Sequence, residues 1–403
     1  MDPLKQRCCQ SARRTDNGWV TSNDSDARAA APASGTGSNL SALRDHNAAL
    51  VLGLLRAAGE TGVSRLELAA HTGLTPQAVS KITARLRAGG LAAEAGRRAS
   101  TGGKPRTVLR LVPGARYAVG VHLDRDEITT VLADLAGRAV AVRRAPLAFT
   151  AGADEVLATV GREVAALRAA AGGPPVLGAG VACPGPLDHT AGVLHRVTGA
   201  PAWDGFPLRA ALAGRLGLPV VLDKDTNAAA LGLAQGCGDG AGSFAYLHLG
   251  TGLGAGLVLG GGLYRGPRTG AGEFGHQVVE RDGPRCGCGR RGCVEALCLA
   301  AVARGDLADA ARVLGVGAAN LVELLDIDRV LLGGRTVLAH PDGFLRGVAA
   351  ELTAQARTRG GSGPGVPVAL APGGTRTVAD GAAQLVLAPL FGPHRPAFAA
   401  QGV

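Results

Sequence analysis

A histidine and three cysteines lie close together in the segment AGEFGHQVVERDGPRCGCGRRGCVEA, residues 271–296. Imidazole nitrogen and thiolate sulfur are ligands that zinc prefers, and the glycines between the cysteines allow tight turns around one ion. Free thiols of a cytosolic protein are the alternative, but clustered cysteines with glycine spacers favour a metal site. One imidazole and three thiolates fill a tetrahedral shell, which predicts structural rather than catalytic zinc. The predicted ligands are His276, Cys286, Cys288 and Cys293.

Two carboxylates, Glu273 and Glu295, flank this segment. The tetrahedral shell does not need them, so they are available for another role. Salt bridges to the nearby Arg285, Arg290 or Arg291 are the structural alternative.

The composition indicates a protein of two or three domains with aliphatic cores. The chain has 403 residues, 46% of them hydrophobic but only 3% aromatic. It contains no apolar run of about 18 residues that would predict a membrane span. The N-terminal sequence lacks the apolar centre of a signal peptide, so we expect a cytoplasmic protein without a membrane partner.

The positive charge is concentrated at the N-terminus. Residues 1–116 contain seventeen Lys or Arg and eight Asp or Glu, a balance of +9 out of +10 for the whole chain. A basic segment attached to a nearly neutral body predicts a nucleic-acid-binding domain, with a basic tail kept for solubility as the alternative.

Helix signals organise this basic segment. Residues 1–40 show no periodicity, and we expect them to be disordered. Helical spacing begins near Asp45. Ser64 and Glu67 then fit a capping box, Gly73 fits a helix C-cap, and Thr75 caps the next helix. Two short helices joined by a glycine turn predict a helix-turn-helix, and residues 41–113 a winged DNA-binding domain.

The second of these helices has an apolar and a polar face. Val79, Ile82 and Leu86 follow helical spacing and should face inward, whereas Thr83 falls among the outward residues. A basic hairpin follows as a wing; a three-helix bundle with a solvated basic face is the alternative. The predicted DNA-contacting residues are Thr75, Gln77, Ser80, Lys81, Arg85, Arg97, Arg98, Lys104 and Arg106.

From Tyr117 the pattern changes to alternating strands and helices. It opens twice with two strands joined by a turn, and this duplicated plan predicts two α/β lobes around a cleft. Lobe I should comprise residues 117–227 together with a C-terminal helix at 380–392, and lobe II residues 228–379.

Residues 117–335 resemble the ROK family of repressors, open reading frames and sugar kinases. The resemblance implies an actin-like, ribonuclease H-like α/β fold, and the N-terminal winged helix-turn-helix is similar to that of the family's regulators. The stretches that carry it are GAGVACPGPLD, DKDTNAAA, HLGTGLGAG, AGEFGH, CGCGRRGCVEA and VLLGG.

The resemblance implies a sugar in the cleft. Asp225 matches the carboxylate that acts as base in the kinases and would accept hydroxyl hydrogen bonds in a repressor. A helix N-cap is the structural alternative for Asp225. Glu273, His276 and Glu295 match other sugar contacts or supports of the family.

Departures from the family pattern indicate little or no use of ATP and magnesium. The first strand turn, HLDRDEIT, has His122 in place of an Asp and no glycines, and its acids would repel phosphate. Lys224 and Gly199 each replace a usual Asn, which leaves the sugar open. The second turn keeps glycines that are a weak candidate for nucleotide binding: Gly250, Thr251, Gly252 and Gly254.

These features predict a sugar-responsive repressor that binds a double-stranded operator as a homodimer or homotetramer, associated with the nucleoid. A sugar kinase with an appended DNA-binding head is the main alternative. A regulator that has lost its sugar and responds to a protein partner is a third possibility.

Overall fold

The N-terminal part of the chain folds as a three-helix head with a β-hairpin. The computed structural model describes residues 40–98, 105–197, 199–236, 242–358 and 365–392. The predicted tail, except Leu40, and the wing residue Lys104 lie outside these ranges. The chain divides into two compact units, residues 1–43 and 44–403, and the architecture below belongs to the second. The head consists of α1 (Leu40–Ala58), β1 (Val63–Ser64), α2 (Arg65–Thr72), α3 (Pro76–Ala88), β2 (Ala92–Arg98) and β3 (Arg106–Leu111).

The predicted capping signals fix the ends of α2 and α3. The Ser64 hydroxyl accepts the Glu67 N–H at 3.3 Å, and the Glu67 carboxylate accepts the Ser64 N–H at 2.7 Å, which confirms the capping box. Gly73 ends α2 with φ 71°, and the Thr75 hydroxyl accepts the Ala78 N–H at 3.2 Å. Local sequence alone therefore sets this helix-turn-helix geometry.

One residue of α3 faces the opposite way from the prediction. Thr83 is fully buried, and its hydroxyl donates to the carbonyl of Val79 at 2.9 Å. Because this bond satisfies the hydroxyl inside the helix, Thr83 packs inward beside Val79 and Leu86. The prediction that Thr83 belongs to the outward face was wrong.

Lobe I is built on a five-stranded sheet in the order β10-β7-β4-β5-β6. Strands β4, β5 and β6 are antiparallel, and β4 pairs in parallel with β7, which pairs in parallel with β10. Its core contains Trp203 stacked on Phe149 at 4.8 Å. Its elements are β4 (Tyr117–Leu123), β5 (Glu127–Asp134), β6 (Ala139–Pro146), α4 (Ala153–Ala170), β7 (Val176–Cys183), β8 (Leu187–Asp188), β9 (Val193–Leu194), α5 (Leu208–Leu216), β10 (Val220–Lys224) and α6 (Asp225–Gly236).

Lobe II repeats the same strand plan in the order β13-β12-β11-β14-β15. The first strand is again central, antiparallel to the next strand and parallel to the strand after the crossover. The predicted duplication is therefore confirmed. Its elements are β11 (Phe244–Leu249), β12 (Leu253–Leu259), β13 (Gly262–Tyr264), α7 (Val294–Ala303), α8 (Leu307–Leu325), β14 (Arg329–Gly333), α9 (Arg335–Ala339), α10 (Pro341–Thr358) and β15 (Val368–Leu370), and helix α11 (Thr377–Leu387) follows.

The head and lobe I share one hydrophobic core. Val51 and Leu55 of α1 are fully buried in a cluster that also contains Leu135 of lobe I and Leu387 and Phe391 from the end of α11. A side chain at Gly53 would lie 2.7 Å from the Phe391 carbonyl oxygen, so α1 and this segment are in direct backbone contact. The head is consequently packed onto lobe I.

Among the residues that the structure describes, no helix is both long enough and apolar enough to cross a bilayer.

Candidate functional site

The histidine and three cysteines predicted to bind metal converge in lobe II. The ligand atoms of His276, Cys286, Cys288 and Cys293 all lie within 4.8 Å of one another. His276 ends a short 3₁₀ turn, and Cys293 immediately precedes α7. Backbone bonds between these segments, including Cys286 N–H to the Arg290 carbonyl at 2.8 Å, hold the loop in shape. This cluster could hold one metal ion.

Two distances within the cluster fit a tetrahedral zinc ion. The sulfurs of Cys288 and Cys293 are 3.7 Å apart, and the Cys286 sulfur is 3.6 Å from the Nδ1 of His276. Two thiolates each about 2.3 Å from one zinc ion at a tetrahedral angle would be about 3.8 Å apart. The donor set and its spacing thus suit structural zinc.

The three thiols differ in acidity. Burial opposes ionisation of Cys288, but hydrogen bonds from Arg290 and the other thiols lower its pKa to about 6. Burial, together with the hydrogen-bonded neighbouring thiols, raises the pKa of Cys293 to about 12. One thiolate is therefore readily available, while a cation is needed to ionise all three.

Asp225 is the first residue of α6 and lies beside a buried lysine. Its carboxylate accepts the N–H of Thr226 at 2.6 Å, and burial raises the pKa of Asp225. Lys224 is 3% exposed, and its ammonium donates to the carbonyl of Ala271 at 2.6 Å and to Glu273 at 2.9 Å. Glu273 is therefore in a salt bridge, but with Lys224 of lobe I and not with the arginines considered from the sequence.

Glu295 is also engaged with the protein. One carboxylate oxygen accepts the Leu253 N–H at 2.8 Å, and the other lies 3.9 Å from the Cys286 sulfur. It joins the metal cluster to the glycine turn between β11 and β12. The alternative considered from the sequence, an arginine salt bridge of Glu295, is not among the ion pairs of the described residues.

These contacts place the four predicted sugar-binding residues along one connected wall. Asp225 adjoins Lys224, which bonds Glu273, and His276 and Glu295 both lie against Cys286. Three of the four residues of this wall carry carboxylates, which are acceptors for hydroxyl groups.

Lobe I and lobe II are tied by an ion cluster that the sequence did not predict. Arg335, at the start of α9, donates to Asp124 at 2.7 Å and to Asp126 at 2.7 Å, both from the turn between β4 and β5. The Thr251 hydroxyl of the glycine turn donates to Asp124 at 3.1 Å. Arg335 is more than two hundred residues from these acids, so no local sequence pattern pairs them. The one local signal at this position is the Gly-Gly that precedes Arg335 in VLLGGR.

This ion cluster affects the turn that would otherwise face a phosphate. The pKa values of Asp124 and Asp126 are both lowered by the Arg335 guanidinium, although burial opposes this shift at Asp124. The Arg125 N–H donates to the Asp124 carboxylate at 2.7 Å. A turn with two ionised carboxylates and an occupied N–H is unsuited to an anion.

Two histidines lie beneath this turn. The rings of His122 and His248 meet edge to face, 6.2 Å apart, and the Nδ1 of His248 is 2.9 Å from the Tyr246 hydroxyl. Burial, with a contribution from His248, lowers the pKa of His122 to about 4. His122 is therefore neutral at physiological pH.

Seven of the predicted DNA-contacting residues are exposed on the head. Thr75, Gln77, Ser80, Lys81 and Arg85 of α3 are exposed. Arg97 and Arg106 of the β2–β3 hairpin are exposed as well, and Arg98 belongs to β2. The described residues therefore form a polar helix face beside a basic hairpin, a shape that suits a major groove and its flanking phosphates.

Comparison with known proteins assigns the two-lobed part of the chain to a family. Residues 118–304 match the ROK family. The putative xylose repressor of Caldicellulosiruptor sp. (strain Rt8B.4) is 28% identical over 319 residues, which are 68% of this chain and 79% of that protein.

Two solved structures match different lengths of this chain. The ROK hexokinase from Thermus thermophilus is 31% identical, with a TM-score of 0.54 over 66% of this chain and 96% of that one. A ROK family transcriptional regulator, a homologue of the E. coli MLC protein, shares the fold at 22% identity, with a TM-score of 0.67 over 87% of this chain and 97% of that one. A coverage of 87% corresponds to about 350 residues, more than the 287 that follow residue 116. The fold shared with this regulator therefore extends into the head.

Proposed function

This chain belongs to the ROK family, and from that membership we propose that it is a sugar-responsive, DNA-binding transcriptional repressor with little or no kinase activity. The observation that carries the proposal is the core shared by the winged head and lobe I. Because the head is packed on lobe I, a movement of the lobe would also move the helix that contacts DNA. The cytoplasm is the compartment that this function requires.

The head supplies the DNA contacts. The exposed face of α3 enters the major groove, and the basic hairpin lies over the phosphates. Two copies of the chain present two such helices to a two-fold operator, so half-sites lie about one helical turn, roughly 34 Å, or a multiple apart.

Structural zinc supports the sugar site. His276, Cys286, Cys288 and Cys293 would hold the ion, whose positive charge would keep the three sulfurs as thiolates. The loop so fixed positions Glu295, which in turn orders the glycine turn through the Leu253 N–H. Bound zinc would therefore stabilise the loop that carries Glu295.

Helix α6 supplies the route from cleft to head. It begins at Asp225 and runs about 18 Å to its C-terminal turn. There Gln235 accepts a hydrogen bond from Arg56 of α1 at 2.5 Å, and the Arg56 guanidinium lies 3.9 Å from the centre of the Phe391 ring. Along its length α6 packs on lobe II, where a side chain at Gly254 would lie 3.1 Å from Thr226. A ligand that moves lobe II against α6 thus acts on α1.

A gel-shift titration tests DNA binding. The protein is added to the promoter region next to its own gene at moderate salt, with and without sugars. We expect a sequence-specific shift that Lys81→Ala and Arg85→Ala weaken and the exposed lobe II control Arg346→Ala does not. Absence of any sequence-specific shift, with or without sugar, would overturn the proposal.

The same assay tests the route through α6. Arg56→Met keeps an aliphatic stem in the junction but removes the bond to Gln235. The variant should retain DNA binding and sugar binding, and the change in operator affinity caused by sugar should be lost. A sugar effect equal to that of the wild type would exclude Arg56 from the route.

The second candidate function is a sugar kinase with a DNA-binding head. The raised pKa of Asp225 and the hexokinase likeness favour it, because a base with a raised pKa abstracts a hydroxyl proton more effectively. A coupled assay with ATP, magnesium and a panel of hexoses, pentoses and amino sugars decides. Turnover that is lost in Asp225→Asn would establish the kinase.

A further inference from the structure

The Lys224 ammonium is buried in lobe I and is paired with a half-exposed carboxylate of lobe II. The Lys224 side chain is 4% exposed, whereas the side chain of its partner Glu273 is 47% exposed. Gly185 makes room for the lysine, since a side chain there would lie 2.8 Å from the Lys224 Cδ. The cation is therefore fixed, and its carboxylate partner is held only by an exchangeable contact.

The neighbouring cations are not available in the same way. Arg265 donates to the buried Asp223 at 2.7 Å, and Arg335 is shared between Asp124 and Asp126. Lys224 has three donors, of which the described residues accept two, from Ala271 and Glu273. A second carboxylate that replaced Glu273 would therefore meet a fixed and desolvated ammonium.

We propose that Glu273 occupies the place of an anionic group of the ligand, so that Lys224 makes the cleft select a sugar bearing a carboxylate or phosphate. The inference rests on the proposed function and names the ligand class of the same cleft. On binding, the ligand anion takes the place of Glu273 on Lys224, and the Glu273 side chain moves into water. Lys224 keeps one ion pair throughout the exchange, while the charge of the ligand is added to the site.

The other acceptors of the wall agree with this ligand class. Glu295 accepts the Leu253 N–H, and Asp225 accepts the Thr226 N–H, so part of the capacity for sugar hydroxyl groups is already used. A neutral sugar would gain little from Lys224, whose strongest partner is a charged acceptor. Lys224 is thus the specificity-determining residue of the cleft.

The decisive test is the sign of the effect of Glu273→Gln. If Glu273 competes with the ligand, the substitution removes the competitor and tightens binding of an acidic sugar, by about tenfold for one charge-assisted bond. If Glu273 instead accepts hydrogen bonds from sugar hydroxyls, the same substitution weakens binding. Titration calorimetry of the full chain with a hexose, the matching hexuronate and the matching hexose 6-phosphate measures both.

Two further variants complete the test. Lys224→Met should abolish the preference for the anion. This single substitution leaves Glu273 without its ion-pair partner and can destabilise the chain. The double variant Lys224→Met with Glu273→Gln removes both charges, and its preference for anionic over neutral sugar is measured in the same way. Glu155→Gln, an exposed carboxylate in the first turn of α4, is the matched control and should bind like the wild type.

Each outcome is informative. Hexuronate or hexose 6-phosphate bound more tightly than hexose supports the proposal, and the better of the two identifies the anion. Neutral hexose bound more tightly by the wild type, weaker binding in Glu273→Gln, or no binding of any of the three sugars overturns it. The gel shift on the operator remains a separate test, so DNA binding can stand when this ligand class fails.

Discussion

The junction between head and lobe I and the cleft between the lobes differ in their share of ionic contacts. At the junction, Val51, Leu55, Leu135 and Leu387 are buried together. Between the lobes, an apolar cluster joins α6 to Phe244 and Val258 of lobe II, and it is supplemented by ionic and polar contacts. They include Asp124 and Asp126 with Arg335, Lys224 with Glu273, Asp223 with Arg265, and the His189 Nδ1 with the Thr269 hydroxyl at 2.7 Å.

The difference indicates which interface moves. Apolar packing has no partner in water, so opening the junction costs the burial of several large side chains. The exposed Asp126–Arg335 pair exchanges with water at little cost, because the median contribution of such pairs is about 0–1 kcal/mol. Lys224 and Asp223 are buried, so each of these two charges needs a replacement partner when its ion pair opens. The junction therefore acts as a rigid connection, and the cleft as the part that a ligand rearranges.

Removal of the metal should have the largest effect and should spare the junction. Cys288→Ser, or a strong chelator, removes a structural zinc site worth on the order of 10 kcal/mol of apparent binding energy. We expect hydrogen exchange to rise throughout residues 271–296 while Val51 and Leu55 of the head stay protected.

The buried Cys298, outside the cluster, is the control, and Cys298→Ala should retain the metal. Purified wild-type protein that contains no zinc by elemental analysis and has an intact cleft would contradict this prediction.

Truncation of Phe391 should loosen the junction but not the cleft. The side chain is 4% exposed and carries the Arg56 guanidinium on its ring, so Phe391→Ala should cost about 3–5 kcal/mol. Urea denaturation measures the loss in free energy of unfolding. Limited proteolysis under native conditions shows whether the head is the part that loosens. Equal loosening of both regions would refute the distinction drawn between them.

Acid should weaken the cleft through His122. Its pKa is lowered to about 4 by burial, so the folded protein binds this proton less readily than the unfolded chain, whose pKa is near 6.5. Stability contributed by neutral His122 is complete above the unfolded pKa and falls by about 3 kcal/mol as pH decreases from 6.5 to 4.

Urea denaturation at several pH values measures this slope, and His122→Asn should flatten it. An identical pH slope in the variant would assign the acid sensitivity to other groups.

Loss of Arg335 should have the smallest effect on stability. Its side chain is 43% exposed, so Arg335→Ala should cost no more than about 1 kcal/mol. The lobes should separate on average, which small-angle scattering would detect as a larger radius of gyration, and high salt should reproduce this in the wild type. A compact variant that responds to salt like the wild type would show that other contacts hold the cleft.

Local signals were predictable from the sequence, and distant side-chain pairs were not. Ser64, Glu67, Gly73 and Thr75 act on neighbours within a few residues, so their types alone set the helix ends. The cysteine spacing likewise predicted a cluster that the structure assembles. Thr83 was misplaced because its polar type suggested exposure, whereas its hydroxyl bonds within its own helix.

The cleft contacts needed the fold. Lys224 and Glu273, or Asp124 and Arg335, are joined only after two sheets have formed. The sequence showed that these residues are charged and that Lys224 is unusual for its position. It could not show which opposite charge each one would meet, because that depends on how the lobes pack.

The backbone contact between Gly53 and Phe391 has a consequence for the order in which the protein is made. Helix α1 leaves the ribosome on the order of tens of seconds before the segment that completes its core. Until then the part of its apolar surface that contacts Leu387 and Phe391 is uncovered, although the rest packs within the head. A nascent or prematurely terminated chain therefore lacks the docked head, so operator control is confined to chains whose sensor has been completed.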